Sequence, residues 1–154
     1  WPTQNQAIVE NVLQRFRLPQ PRIEAGIAAR GVANAAIDIS DGLLSEAHHL
    51  ARESGLQAQI DIEALPLSAA ASGWLAEQAD PTAARLDLAT RGDDYELLFA
   101  VPEGARDSLV AHCKRLGVPL SFIGRLTDES LGGALQVLSG DKVLNPSHLG
   151  FTQF

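Results

Sequence analysis

Apolar residues at Ile8, Val12, Leu13 and Phe16 recur three or four apart among Asn, Glu, Gln and Arg, which predicts a helix over 5–17 that Pro19 and Pro21 end. A short helix follows around 22–30. The period then drops to two in "ANAAIDIS" (33–40), where Ile37 and Ile39 share one face and Asp38 and Ser40 the other, as in a half-buried strand. "DGLLSEAHHLARES" (41–54) returns to a helical period, with Leu43, Leu44, Ala47, Leu50 and Ala51 on one face and Gly55 placed to end it. A strand is predicted at 57–63, a weakly helical Ala-rich stretch at 64–90 with Pro66 and Pro81 as breakers, and a strand at 95–101, "YELLFAV", stopped by Pro102. A helix over 103–117 closed by Gly117 and strand-like runs near 119–125, 134–138 and 142–145 complete the pattern, the last two joined across "SGD" as a hairpin. The alternation predicts one domain over 1–154 of the α/β (α+β) class, a mixed sheet layered with helices.

Composition narrows this picture. At 154 residues, 45% hydrophobic and 20% charged, the chain has enough apolar material for one folded core. A net charge of −7 speaks against nucleic acid as the main ligand, because that affinity rests on Lys and Arg neutralising phosphates. No run is apolar and long enough for a membrane span, and the single cysteine, Cys113, fits a reducing, cytoplasmic setting. Cys113 itself, in register with Leu109 and Leu116, reads as core. The chain holds no methionine and opens on Trp1, from which we expect a downstream piece of a longer protein.

The candidate chemistry is acidic. Asp38 and Asp41 flank Ser40 where the strand gives way to the helix, and Gly42 follows with no side chain to block a ligand. Ser40 is predicted as the N-cap, Asp41 as the first helical residue, and Ile39 with Leu44 as a hydrophobic staple. Two readings fit this spacing. In one, Asp41 only offsets the helix dipole and Asp38 faces solvent. In the other, the two carboxylates hold Mg²⁺, which takes few protein ligands and fills the rest with phosphates and water, while Ser40 and nearby amides meet phosphate oxygens. A second cluster, Asp93, Asp94 and Glu96, crowds three acids into four residues and needs solvent, a cation or a ligand to offset the repulsion. EF-hand spacing, a Walker A string, GxGxxG, HExxH and CxxC are all absent, and His48 and His49 read as lying on or near a solvated helix face.

Five stretches, "ANAAIDISDGLLSEA", "IDIEALPLS", "RGDDYELLFAVP", "LGVPLSFIGRLT" and "HLGFTQF", resemble successive blocks of the C-terminal domain of the thiamine-monophosphate kinase family, within the aminoimidazole ribonucleotide synthetase superfamily. The resemblance covers about 20–154. It implies transfer of the γ-phosphoryl group of ATP onto thiamine monophosphate, at a site between this domain and an N-terminal domain of the same polypeptide that the 154 residues lack. It further implies Asp38 and Asp41 as Mg²⁺ ligands, Ser40 as an ATP contact, Asp93 at the position of a substrate-binding glutamate and Phe151 at that of an aromatic against the thiamine moiety. Where the family reads G-G-E-D-Y-E, this chain has Arg91-Gly92-Asp93-Asp94-Tyr95-Glu96. No general base is expected, since a phosphate monoester with a second pKa of about 6 is already largely a dianion at neutral pH. The isolated domain is expected to be inactive and the parent a homodimer. Two alternatives stay open: another ATP-using enzyme of the superfamily, and a non-catalytic module that binds nucleotide or thiamine phosphate.

Overall fold

The two-residue alternation around Ile37 becomes β1 (Ala35–Asp38), which pairs antiparallel with β3 (Leu97–Ala100), Ala35 opposite Ala100 and Asp38 opposite Leu97. The structure, a computed structural model, describes residues 6–128 and 134–151. β3 alternates between two packed clusters: Leu98 faces the first, while Phe99 reaches the second.

Four further strands form a separate sheet in the order β4 (Gly124–Thr127), β2 (Gln57–Asp61), β5 (Leu135–Ser139), β6 (Lys142–Leu144). β2 runs parallel to β5 and antiparallel to β4, so this sheet is mixed as expected, although the predicted single sheet is in fact two. The β5–β6 hairpin turns at Gly140 with φ 58° and pairs Ser139 with Lys142.

Helix α3 (Leu43–Ser54) lays Leu43, Leu44, Ala47 and Ala51 on β2 and β5, against Ala58, Ile60 and Val137. It ends at Gly55 with φ 65°, the left-handed position its sequence called for. The second cluster joins α2 (Ile23–Ala29) to α6 (Arg106–Arg115) through Ala25, Ala29, Leu109 and a fully buried Cys113. α1 (Gln6–Arg17) precedes both and carries its apolar stripe outward, with Val9, Val12, Leu13 and Phe16 exposed.

Several boundaries differ from expectation for identifiable reasons. The strand predicted over 57–63 stops at Asp61, whose carboxylate accepts the Glu63 N–H at 3.0 Å and tightens the chain into a 3₁₀ turn. The apolar run at 119–125 is mostly loop: Val118 and Leu120 fill the second cluster and Ile123 the first, and only Gly124 onward pairs with β2. There the apolar pattern recorded burial, which a loop can share with a strand. The helix predicted over 103–117 is a 3₁₀ turn at 103–105 followed by α6. The Ala-rich stretch contains α4 (Ala69–Ala76) and α5 (Pro81–Thr90), capped by the Ser68 hydroxyl and the Asp80 carboxylate. Pro81 therefore opens a helix, because its missing N–H is one the first turn leaves unpaired anyway. Among the described residues no helix is long and apolar enough to cross a membrane.

Candidate functional site

The strand-like pairing of β1 does not end with β1. The Ile39 N–H donates to the Glu96 carbonyl at 2.9 Å, the Tyr95 N–H to the Ile39 carbonyl at 2.9 Å, and the Asp93 N–H to the Ser40 carbonyl at 2.8 Å. Ser40 is thereby held in the ribbon and is not the helix cap. The N-cap is Gly42, at φ 118°, with no side-chain capping bond, and Asp41 lies outside the helix. With the cap moved two residues on, Ile39 and Leu44 lose the staple spacing, although both sit in the first cluster. A positive φ is what lets the chain leave the ribbon and enter α3 within two residues, and it leaves the first amides of α3 without a side-chain acceptor.

Three glycines show how closely the surrounding backbone is packed onto this turn. A Cβ on Gly42 would meet the Thr90 carbonyl oxygen at 2.6 Å, one on Gly92 the Ser40 oxygen at 2.2 Å, and one on Gly150 the Asp41 oxygen at 2.3 Å. The C-terminal segment is tied in as well, since the Phe151 N–H donates to the Asp41 carbonyl at 2.8 Å. Residues far apart in sequence (Asp38, Ser40 and Asp41; Asp93; Phe151) thus converge on one turn through backbone contacts. Asp38 and Asp93 are exposed, Asp41 and Ser40 half-buried, and Phe151 is 65% exposed.

The acidic turn between α5 and β3 is strained and compensated. Asp93 and Tyr95 adopt φ 67° and 51°, a region side-chain-bearing residues seldom occupy. Glu96 receives Arg22 through Nε at 2.9 Å and Nη2 at 2.8 Å, and also Arg15. Burial pushes the Glu96 carboxyl up, but the hydrogen bonds from Arg22 and then Arg15 outweigh it and hold it below the ordinary value. Asp94 goes the other way: desolvation of its carboxyl first, then Glu96, and lastly Asp93 raise it, against the opposing pull of Arg15. The sequence pattern did not point to Arg15 and Arg22 as the partners of this turn's Glu96. The acid crowding left solvent, a cation or a ligand open as the compensation, and the structure supplies two arginines at Glu96.

The donor set suits a hard cation only in part. Among the described residues no group of three or more His, Cys, Asp or Glu side chains is arranged to hold a metal. Two open carboxylates beside uncapped helix amides fit Mg²⁺ accompanied by phosphate oxygens and water, and do not fit a metal caged by protein alone. Two concavities of the described residues lie elsewhere, one along α1 by Leu13 and Leu18, the other by His48, Val137 and Leu149. The convergence at Ser40 is an open cradle. Cys113 is core, as its pattern indicated, whereas His48 and His49, expected on or near a solvated face, are half-buried on α3.

Against known proteins, residues 4–135 match the family described as AIR synthase related protein, C-terminal domain. The thiamine-monophosphate kinase of Caulobacter vibrioides is 36% identical over 140 residues, 91% of this chain and 39% of that protein. That of Escherichia coli K12 is 40% identical over 121 residues, 79% of this chain and 36% of that protein. Among solved structures, thiamine-monophosphate kinase from Stenotrophomonas maltophilia K279a superposes with TM-score 0.73 at 39% identity, over 86% of this chain and 40% of that one. AaThiL complexed with AMPPCP and TMP gives TM-score 0.69 at 29% identity, over 93% of this chain and 41% of that one. The chain therefore spans about two fifths of the length of these relatives.

Proposed function

The chain belongs to the AIR synthase related protein family, as its C-terminal domain, and from that premise we propose that it is the C-terminal part of a cytoplasmic, homodimeric kinase that converts thiamine monophosphate to thiamine diphosphate with ATP. The observation that carries the proposal is the convergence of Asp38, Ser40, Asp41, Asp93 and Phe151 on one turn, in a fold shared with a relative whose complex holds AMPPCP and TMP.

Each residue has a task that its position supports. Asp38 and Asp41 would hold Mg²⁺, which when bound neutralises charge on the polyphosphate and so lets two anions approach. The Ser40 hydroxyl and the uncapped amides of α3 receive phosphate oxygens at the positive end of the helix dipole. Asp93, exposed on the left-handed turn, contacts the acceptor, and the open Phe151 ring offers its face to the cationic thiazolium or the pyrimidine. Holding the acceptor dianion in line is the main work, so the absence of a general base is consistent with the chemistry.

The remainder of the polypeptide, an N-terminal domain, completes the site and covers the outward stripe of α1. Support comes from the length of the relatives and from that stripe, where Phe16 is 79% exposed. The test is thiamine diphosphate formation by the full-length parent from thiamine monophosphate and MgATP, with free thiamine as control acceptor. Product from the monophosphate alone is expected. No product from folded parent would remove the assignment.

A further inference from the structure

Asp93 and Tyr95 hold conformations that their side chains disfavour, so the turn that presents Asp93 must be kept in place from outside. Three backbone hydrogen bonds to Ile39 and Ser40 do part of this. Among the described residues no hydrogen bond or ion pair ties down the side chains of Asp93, Asp94 or Tyr95, and the turn's side-chain anchorage to α1 and α2 is through Glu96.

Its main partner is well placed to act as a fixed post. Arg22 is the N-cap residue of α2, its carbonyl accepts the Gly26 N–H at 2.9 Å, and α2 is locked to α6 by Ala25, Ala29, Leu109 and Cys113. The guanidinium is 19% exposed and grips the carboxylate with two nitrogens, a geometry that fixes direction as well as charge. Arg15 adds a second, more exposed arm from α1, at 49%. Neutralising Glu96 also lowers the charge crowding among three neighbouring acids, leaving Asp93 free for a ligand.

We infer that Arg22 is a positioning residue: through Glu96, with Arg15 assisting, it holds the 93–96 turn in the conformation that aims Asp93 at the acceptor beside Ser40. This rests on the proposed kinase reading only in naming the acceptor. The pair spans the α2–α6 cluster and the cradle, so packing far from the substrate sets the geometry of its contact.

The test uses the full-length parent with Arg22→Ala, Arg22→Lys, Glu96→Gln, Arg15→Ala and the Arg22→Ala/Glu96→Gln double variant. Expected is a KM for thiamine monophosphate raised about tenfold in Arg22→Ala and Glu96→Gln, with no further rise in the double variant and KM for MgATP within about twofold. Arg22→Lys, which keeps the charge but loses the fork, should fall between wild type and Arg22→Ala. Amide hydrogen exchange gives a readout independent of turnover: the Asp93 and Tyr95 amides should exchange about tenfold faster in Arg22→Ala, with the β2–β5 amides unchanged. Should Arg22→Ala fail to fold, Arg15→Ala removes the exposed arm alone and should shift both readouts the same way by about threefold. Unchanged protection at Asp93 and Tyr95, or an unchanged KM for the monophosphate beside a lowered melting temperature, overturns the inference. A wild-type parent that makes no thiamine diphosphate overturns the kinase reading, and the exchange experiment then decides on Arg22 by itself.

Discussion

Asp38 and Asp41 differ in what their loss should do from the acids of the neighbouring turn. In the parent, Asp38→Asn should lower turnover by at least about a hundredfold and raise the Mg²⁺ concentration needed for half-maximal rate, with the melting temperature unchanged. Asp38 is exposed and its side chain supports no element, so a melting curve separates the two effects. Asp94 and Glu96 act on stability with opposite signs. Glu96, held below its ordinary value, stabilises the fold above the unfolded carboxyl's pKa of about 4.3 and loses that contribution as pH falls through its lower folded value. Asp94, held above its ordinary value, favours the fold only when protonated: the benefit is complete below about pH 3.9 and is lost as pH rises through the folded value. Asp94→Asn should therefore raise the melting temperature by roughly 1–3 °C at pH 7 and leave it unchanged at pH 3. At Gly92, an added methyl would lie 2.2 Å from the Ser40 oxygen, backbone against backbone with no side chain to yield. Gly92→Ala should cost about 3 kcal/mol or more by denaturant titration. The sequence showed the acids and the glycine, but the carbonyl that the glycine must clear comes from more than fifty residues away in the chain.

At the scale of elements, two helices with similar-looking starts are built differently. α5 is capped by the Asp80 carboxylate on the Ala83 N–H at 3.0 Å with Pro81 at its first turn, whereas α3 has no side-chain cap despite Ser40 and Asp41 just ahead of it. Asp80→Ala should cost about 1 kcal/mol of stability and leave turnover of the parent unchanged. Ser40→Ala should change stability by less than about 0.5 kcal/mol while raising the KM for ATP, since its hydroxyl caps nothing. Pairing explains the contrast. Ser40 is held by the Asp93 N–H as an extension of β1–β3, and that long-range bond outcompetes the local cap. The same competition shortens the strand predicted at 95–101, because the left-handed residues Asp93 and Tyr95 bend the chain before the regular ladder begins at Leu97.

Over the whole molecule, two packed clusters meet along one ribbon, and the cradle sits where β1 leaves it. The outward stripe of α1 repeats Val9, Val12, Leu13 and Phe16 on one exposed face. If the rest of the parent covers this face, Phe16→Asp should lower the parent's melting temperature by several degrees, measured by calorimetry at fixed concentration. An unchanged parent would show that α1 faces solvent in the whole protein too. What the sequence alone determined is local: the helical and strand periods, the left-handed stop at Gly55, the hairpin at Gly140, the core character of Cys113, and a pair of carboxylates at a strand end. These follow from spacing and from single-residue conformational preference, which travel with the chain. Only the tertiary structure decided that Ser40 stays in the ribbon, that Gly42 starts α3, that the sheet is two sheets, and that Arg22 and Arg15 answer Glu96. Each of those is a pairing across many residues, and no local pattern encodes the partner, because its energy exists only once the two segments are brought together.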